Sequence, residues 1–527
     1  MSHRRLGWAA GLAALLGVGV LDGVIRAGQA VEQVELVAPF SNAIYTIRVA
    51  ELANTQTLLG GTSDLAELDR ALNGAIGKQL IEVFHKPLPL SAGAFDKDSG
   101  SPLLQQVLLV LAQLGELDGL RTNQMDTTAL AKAVDQAAVG GQITMLSLLQ
   151  ALPGKTVRVD LPKVVKALTR NAQQRLVTNK LLTTGVPISA DPSLAKPGPS
   201  AVVRRELGLA VGHRPAPLTL VVLQPEGKSN GRLVVISHGL WDSPTSFEGW
   251  ARQLASYGYT VVLPVHPGSD QEQQRAMLAG EAPPPTPEEL RLRPMDVSAV
   301  LDGIAAGTLA GFQGTQVQST VVVGHSWGAI TALQLAGGRS SSGPLRQNCG
   351  DLLNPERTLS WILQCSFVST ADAPPQPDLR VKSVVAVSPP IGLLFSPDAV
   401  QGIQARVLLV SGSHDWVVPP DPEALLPFAL SPALGHRLVL VKGGDHFNMR
   451  APAQTSSPAE AASSVKPNAT ALLSPLILAW VNGTFAAGIQ ALPAAGAPSL
   501  LPPSGWGSAV MPMVDVTVKQ AAGVVAP

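Results

Sequence analysis

The chain has 527 residues, and its 38 lysines and arginines match its 38 aspartates and glutamates, so it carries no formal net charge. That balance excludes a basic nucleic-acid-binding surface, whose affinity has to come from neutralising phosphates. With 46% hydrophobic and 14% charged residues, the chain can bury a sizeable core, and its length suits two or three folded units, or one large α/β enzyme with an appended module, not a long disordered polymer.

Arg4 and Arg5 precede an apolar run from Trp8 to Leu21, which is shorter than the about 20 residues a membrane-spanning helix requires. Gly28-Gln29-Ala30 places small residues where a signal peptidase reads them. Residues 1–30 are therefore expected to be a cleaved export signal, with an uncleaved anchor as the alternative. No later segment reads as transmembrane.

Residues 31–186 read as a mostly helical module. Val34 to Val37 and Tyr45 to Val49 alternate as short strands, and Leu65, Leu68, Leu72, Ile76 and Leu80 then recur at helical spacing, as do Leu103, Val107, Val110, Leu111 and Leu114. Asp160 is expected to cap a helix beginning at Leu161 and Pro162. Nothing in this module proposes chemistry of its own. Residues 187–200, with Pro187, Pro192, Pro197 and Pro199, form the linker.

From 201 to 450 the pattern changes to short β-branched runs alternating with helical stretches. The runs are Glu206 to Val211, Leu218 to Leu223, Leu233 to Ser237, Thr260 to Pro264, Thr320 to Val323, Ser383 to Val387, Arg406 to Val410 and Arg437 to Val441. The later ones are apolar almost throughout, as parallel strands covered on both faces must be. The expected fold class is α/β, a mostly parallel eight-stranded sheet flanked by helices. Residues 269–295 and 338–380 are long connections able to shape a binding site. Residues 451–527 are expected to pack on this unit as a Pro- and Ala-rich segment, a helix from Ala469 to Phe485 and a tail.

Cys349 and Cys365 are the only cysteines. In an exported chain a local pair fits one disulfide, with two separate thiols as the alternative. Their spacing fits no four-ligand metal site.

Gly324-His325-Ser326-Trp327-Gly328 lies between the apolar strand Thr320 to Val323 and a helix-forming run from Ala329. A serine in such a strand-to-helix turn has its hydroxyl presented for attack, and flanking glycines allow the chains to pass closely. A serine hydroxyl still needs a base, and the base an acid. Asp415 follows the strand Arg406 to Val410 and His446 follows the last strand, both past carboxyl ends, where open α/β sheets place their sites. Ser326, Asp415 and His446 are thus the expected nucleophile, acid and base. His414 and Asp445 are the rival choices.

The developing oxyanion needs donors. The Trp327 N–H follows the nucleophile, and the loop Ser237-His238-Gly239-Leu240-Trp241 offers the Leu240 N–H, with His238 shaping that loop. Trp241, Trp327 and His325 are expected beside the substrate, where indole surface suits an apolar group.

These stretches, with Leu254 to Val262 and His266-Pro267-Gly268-Ser269, resemble the serine-dependent α/β-hydrolases grouped with platelet-activating-factor acetylhydrolases, bacterial polyester hydrolases and dienelactone-hydrolase-like proteins. Val34 to Phe40 and Val157 to Leu161 are similar to an uncharacterised helical region fused to such hydrolases in cyanobacteria. The resemblance implies the same triad and oxyanion donors; the expected substrate is a small-molecule ester, and the chemistry needs no metal or organic cofactor. The expected activity is that of an exported serine esterase in the periplasm, thylakoid lumen or outside the cell. A lipase or phospholipase in peripheral contact with a membrane, and a binding protein on a hydrolase scaffold, are the alternatives.

Overall fold

The computed structural model describes residues 30–38, 43–75, 77–87, 103, 115–117, 128–138, 142–160, 176–350, 357–396, 399, 402–430, 435–451, 472–488 and 497–525. They divide into two compact units, one within residues 1–170 with 273–286 and 351–357, the other within 171–272, 287–350 and 358–527.

In the first unit β1 (Gln33–Val37), β2 (Ile44–Arg48), β3 (Gly115–Leu117) and β4 (Thr156–Asp160) form a sheet in the order β2-β1-β4-β3. Alternation places Val34, Ile47, Val157 and Val159 on a buried face, in one core with Leu80, Phe84 and Leu149. The periodic leucines make two helices instead of one, α1 (Asp64–Ala71) and α2 (Gly77–His85). Asn73 and Gly74 between them take φ of 54° and 78°, the left-handed conformation that ends a helix, and the Asp69 carboxylate receives the Gly77 N–H at 2.8 Å. Asp160 is the last residue of β4, which pairs with β1, and the helix expected to begin at Leu161 lies outside the described residues. The helix expected over 103–114 lies outside the described residues except for Leu103, and the export signal lies outside them except for Ala30.

The second unit is built on a nine-stranded sheet. In chain order its strands are β5 (Val202–Leu209), β6 (Leu218–Pro225), β7 (Arg232–Ser237), β8 (Thr260–Pro264), β9 (Gln316–His325), β10 (Val381–Val387), β11 (Arg406–Gly412), β12 (Arg437–Val441) and β13 (Met513–Val516). They lie in the order β13-β12-β11-β10-β9-β7-β8-β6-β5. The six strands from β8 to β12 in that order are parallel, β6 and β13 flank them in the opposite direction, and β5 pairs antiparallel with β6 at the outer edge. All eight expected runs are strands. The ninth, β13, is only four residues inside a tail rich in Pro, Ala and Gly, too short for alternation to show.

Helices cover both faces, which is why the central strands are apolar on both. On one face α3 (Glu248–Ser256) and α7 (Ser474–Ala487) bury Trp250, Leu476 and Trp480 against Ile236, Val323 and Val410. On the other, α4 (Glu289–Ala305) and α5 (Trp327–Leu335) bury Val297, Leu301 and Ile330 against Val235, Val322 and Leu409. From Pro475 to Val481 α7 is apolar all round because that stretch is buried. Among the described residues no helix is long and apolar enough to cross a membrane.

Cys349 and Cys365 are bonded, with Cα atoms 5.6 Å apart. The bond ties the helix Gly343–Cys349 to α6 (Leu359–Cys365) across a separation of 16 residues. Closing a loop of this size stabilises the folded chain by about 3 kcal/mol through the entropy denied to the unfolded one. Cys349→Ser is therefore expected to lower the denaturant midpoint of the oxidised protein and to abolish its sensitivity to thiol reductant. A variant that unfolds like the wild type would contradict this.

Candidate active site

Four strand ends converge on the site. At the end of β9, Ser326 takes φ 53° and ψ −120°, a backbone conformation that costs a non-glycine residue on the order of 1–3 kcal/mol. Its N–H donates to the Val387 carbonyl at 2.9 Å and its carbonyl accepts from Ala329, the first turn of α5. The glycines around it are dictated by contact. A β-carbon on Gly324 would lie 2.0 Å from the Gly328 oxygen, and one on Gly328 2.0 Å from the Ser237 oxygen. The turn is therefore wedged against the end of β7.

Asp415 follows β11 and is buried. One carboxylate oxygen accepts from the Val417 and Val418 amides at 3.0 and 2.7 Å, and the other meets His446 Nδ1 at 3.0 Å. An ionised carboxylate only accepts, so the imidazole carries its proton on Nδ1 and keeps Nε2 as a base. The His446 carbonyl accepts from His325 Nε2 at 2.9 Å, and the two rings lie in contact, tilted by 50° with centroids 4.6 Å apart. The base is thus held beside the residue that immediately precedes Ser326. Among the described residues neither Ser326 Oγ nor His446 Nε2 has a hydrogen-bond partner, so the expected Ser-His bond is not made here. Such bonds are commonly long before substrate tightens them.

The rival residues are disposed elsewhere. Asp445 accepts the Phe447 and Asn448 amides at 2.9 and 2.7 Å, closing its own turn, and His414 is exposed.

The loop after β7 lies directly on the elbow, since a β-carbon on Gly239 would be 3.2 Å from Ser326 Cβ. Among the described residues the Leu240 and Trp327 amides donate to no backbone carbonyl, which leaves both expected oxyanion donors uncommitted. Trp241 adopts φ 55° and its N–H donates to Ser269 at 2.7 Å.

Two residues expected beside the substrate are buried. Trp327 is buried, with Nε1 donating to the Leu363 carbonyl at 3.0 Å and its ring on Phe367. His325 is buried between Phe247 and His446. An apolar cavity of about 260 Å³, lined by Leu333, Ile391, Phe395, Val407, Phe428 and His436, contains none of the site residues.

Sequence reasoning missed a second Ser-His-Asp chain. Ser237 Oγ lies 2.9 Å from His266 Nε2, and His266 Nδ1 lies 2.8 Å from Asp296 Oδ2. Asp296 also receives Arg214 at 2.7 and 3.0 Å and His213 at 2.8 Å. Burial works to raise the Asp296 pKa, but His266 and Arg214 outweigh it and hold the carboxyl at about 2. Burial and then the Arg293 charge push His266 down to about 4. All three residues of this chain are wholly buried, and Ser237 ends a regular strand without the left-handed backbone of Ser326. The one sequence signal was the spacing of Glu289, Arg293 and Asp296 along one helical face.

The sequence pattern of the α/β hydrolase family matches residues 233–459, and that of a family described as α/β hydrolase of unknown function matches residues 30–160. No curated protein matches the chain. The molecule is an α/β-hydrolase-fold protein with a separate N-terminal module of small sheet and helices, and its Ser-His-Asp groupings, the hydrogen-bonded Ser237–His266–Asp296 chain and the bonded His446–Asp415 pair with the strand-end Ser326, are of the serine-hydrolase type. Among the described residues no group of three or more His, Cys, Asp or Glu is placed to hold a metal.

The buried imidazoles make stability depend on pH. His266 and His436 both stand at about 4 against an ordinary 6.5, burial being the main cause and a neighbouring arginine the second. Between those values the unfolded chain takes up protons that the folded one refuses, so stability is present above 6.5 and lost as pH falls to 4. Each shift corresponds to a loss on the order of 3 kcal/mol at the lower limit. The urea midpoint is expected to fall steadily from pH 7 to pH 4.5, and less steeply in His436→Phe. A midpoint independent of pH over that range would contradict the assignment.

Proposed function

We propose that the protein hydrolyses carboxylic esters, with Ser326 as nucleophile, His446 as base and acid, Asp415 as its orienting partner, and the Leu240 and Trp327 amides as oxyanion donors. The observation that carries this reading is the left-handed backbone of Ser326 at the β9–α5 junction, next to the hydrogen-bonded His446–Asp415 pair.

Ser326 Oγ attacks the ester carbonyl carbon as its proton passes to His446 Nε2, and the oxygen that gains charge lies against the two amides. His446 returns the proton to the departing alcohol, leaving an acyl group on Ser326. A water then gives its proton to His446, attacks the acyl carbon and releases the acid as Ser326 regains its hydrogen. Asp415 stays ionised and stabilises the imidazolium at each stage.

A second reading, a lipase or phospholipase at a membrane surface, is favoured by two exposed aromatic residues beside the catalytic pair. Trp416, next to Asp415, is 48% exposed and Phe447, next to His446, is 38% exposed. Aromatic side chains of this kind suit a boundary between lipid and water. Kinship with platelet-activating-factor acetylhydrolases and polyester hydrolases belongs to the same proposal and rests on the motifs around Ser237, His266 and Ser326. Export is supported by the basic and apolar start of the sequence and by the bonded cysteines.

Hydrolysis of chromogenic esters of graded acyl length tests the reading. Ser326→Ala and His446→Ala should abolish turnover and Asp415→Asn should reduce kcat by about 10⁴-fold. Activity rising sharply where substrate forms micelles selects the interfacial reading, and a folded wild type no faster than Ser326→Ala on every ester removes both.

A further inference from the structure

The loop that carries the Leu240 amide is held one peptide unit at a time. The His238 carbonyl accepts from Arg293 Nη2. The Gly239 carbonyl accepts from the His238 ring at Nδ1, 2.8 Å away. The Trp241 N–H donates to the Ser269 carbonyl at 2.7 Å. The second of these units contains the Leu240 N–H, and in a planar trans peptide the carbonyl and the N–H point in opposite directions. Whatever fixes the Gly239 carbonyl therefore fixes the direction of that N–H.

His238 can hold the carbonyl only while Nδ1 carries a proton. The His266 backbone N–H donates to His238 Nε2 at 3.1 Å. A backbone N–H cannot accept, so Nε2 is the unprotonated nitrogen and the proton of the neutral ring sits on Nδ1. His266 is in turn fixed through both ring nitrogens by Ser237 and Asp296. Asp296, Arg293 and Glu289 all come from α4, and Glu289 also accepts from Ser269 Oγ at 2.8 Å. One helix thus stands behind every bond that orients the loop.

We propose that His238 is a positioning residue that aims the Leu240 N–H at the oxyanion, and that the buried Ser237–His266–Asp296 chain supports it and is not a second nucleophilic centre. Without the ring, the Gly239–Leu240 peptide is free to turn its carbonyl inward. Gly239 has no side chain to oppose that rotation. The inference rests on Ser326 being the nucleophile, which Ser326→Ala tests separately.

The experiment compares His238→Phe, which keeps the ring's bulk without nitrogens, with His238→Asn, whose amide N–H reaches the position of Nδ1. Each is assayed for ester hydrolysis and for binding two inhibitors of matched chain length. An alkyl trifluoromethyl ketone becomes an oxyanion on Ser326, whereas the corresponding alcohol does not. His238→Phe is expected to lose about a hundredfold in kcat with KM within twofold, the scale of a missing oxyanion donor. Its ketone affinity should fall in parallel while alcohol affinity holds, and His238→Asn should recover most of both losses. Ketone affinity and kcat at wild-type values in folded His238→Phe would overturn the proposal. So would equal loss of ketone and alcohol binding, or a His238→Asn variant as impaired as a destabilised His238→Phe. If Ser326→Ala stays active, the reading of the site fails first.

Discussion

A serine backbone held in a conformation that serine disfavours is the constraint on which the rest of this molecule depends. The strain at Ser326 persists because its surroundings leave no alternative. Its amide is committed to β10, its carbonyl starts α5, and the backbones at Gly324 and Gly328 touch where no side chain could intervene. The parallel sheet and its two helical layers supply the rigidity that over-determines this turn. The same sheet brings the loops after β7, β11 and β12 to the end of the strands where Ser326 lies, so strand order alone gathers the residues to which the proposal assigns the acid, the base and the Leu240 amide.

The second constraint is electrostatic. Arg214, Glu289, Arg293, Asp296 and His266 are buried together, and removing such charges from water costs several kcal/mol apiece unless their hydrogen bonds repay it. Most are tied closely, as in the Arg214–Glu289 and Arg214–Asp296 pairs. A hydrophobic cluster of the same volume would fill the space at less cost. It would not offer directional bonds to the His238 carbonyl and the His266 ring. The network is best understood as an investment in the geometry of one loop.

Much of this was legible in the sequence. The apolar runs that became central strands were clear because burial on both faces leaves no room for polar residues, and the elbow was clear because strand, small residues and helix occur together around Ser326. Asp415 and His446, which chain order singles out, are hydrogen-bonded to each other. The features that were not legible depend on long-range pairing. β13 is four residues whose only strand signal is its partner β12, and Asp160 ends a strand because β1 lies beside it. Trp327 and His325 flank the serine in sequence, but their contacts with Phe367, Phe247 and His446 come from distant parts of the chain. Ser237, His266 and Asp296 lie 29 and 30 residues apart in sequence, and nothing local signals that they meet.

The central claim is that Ser326, and not the hydrogen-bonded Ser237, is the nucleophile. The most direct measurement treats the folded protein with a fluorophosphonate, which reacts only with an activated hydroxyl, and locates the adduct by peptide mass spectrometry. One adduct on Ser326, absent in His446→Ala, is the predicted result. An adduct on Ser237, or none on Ser326 in protein that hydrolyses esters, would contradict the account.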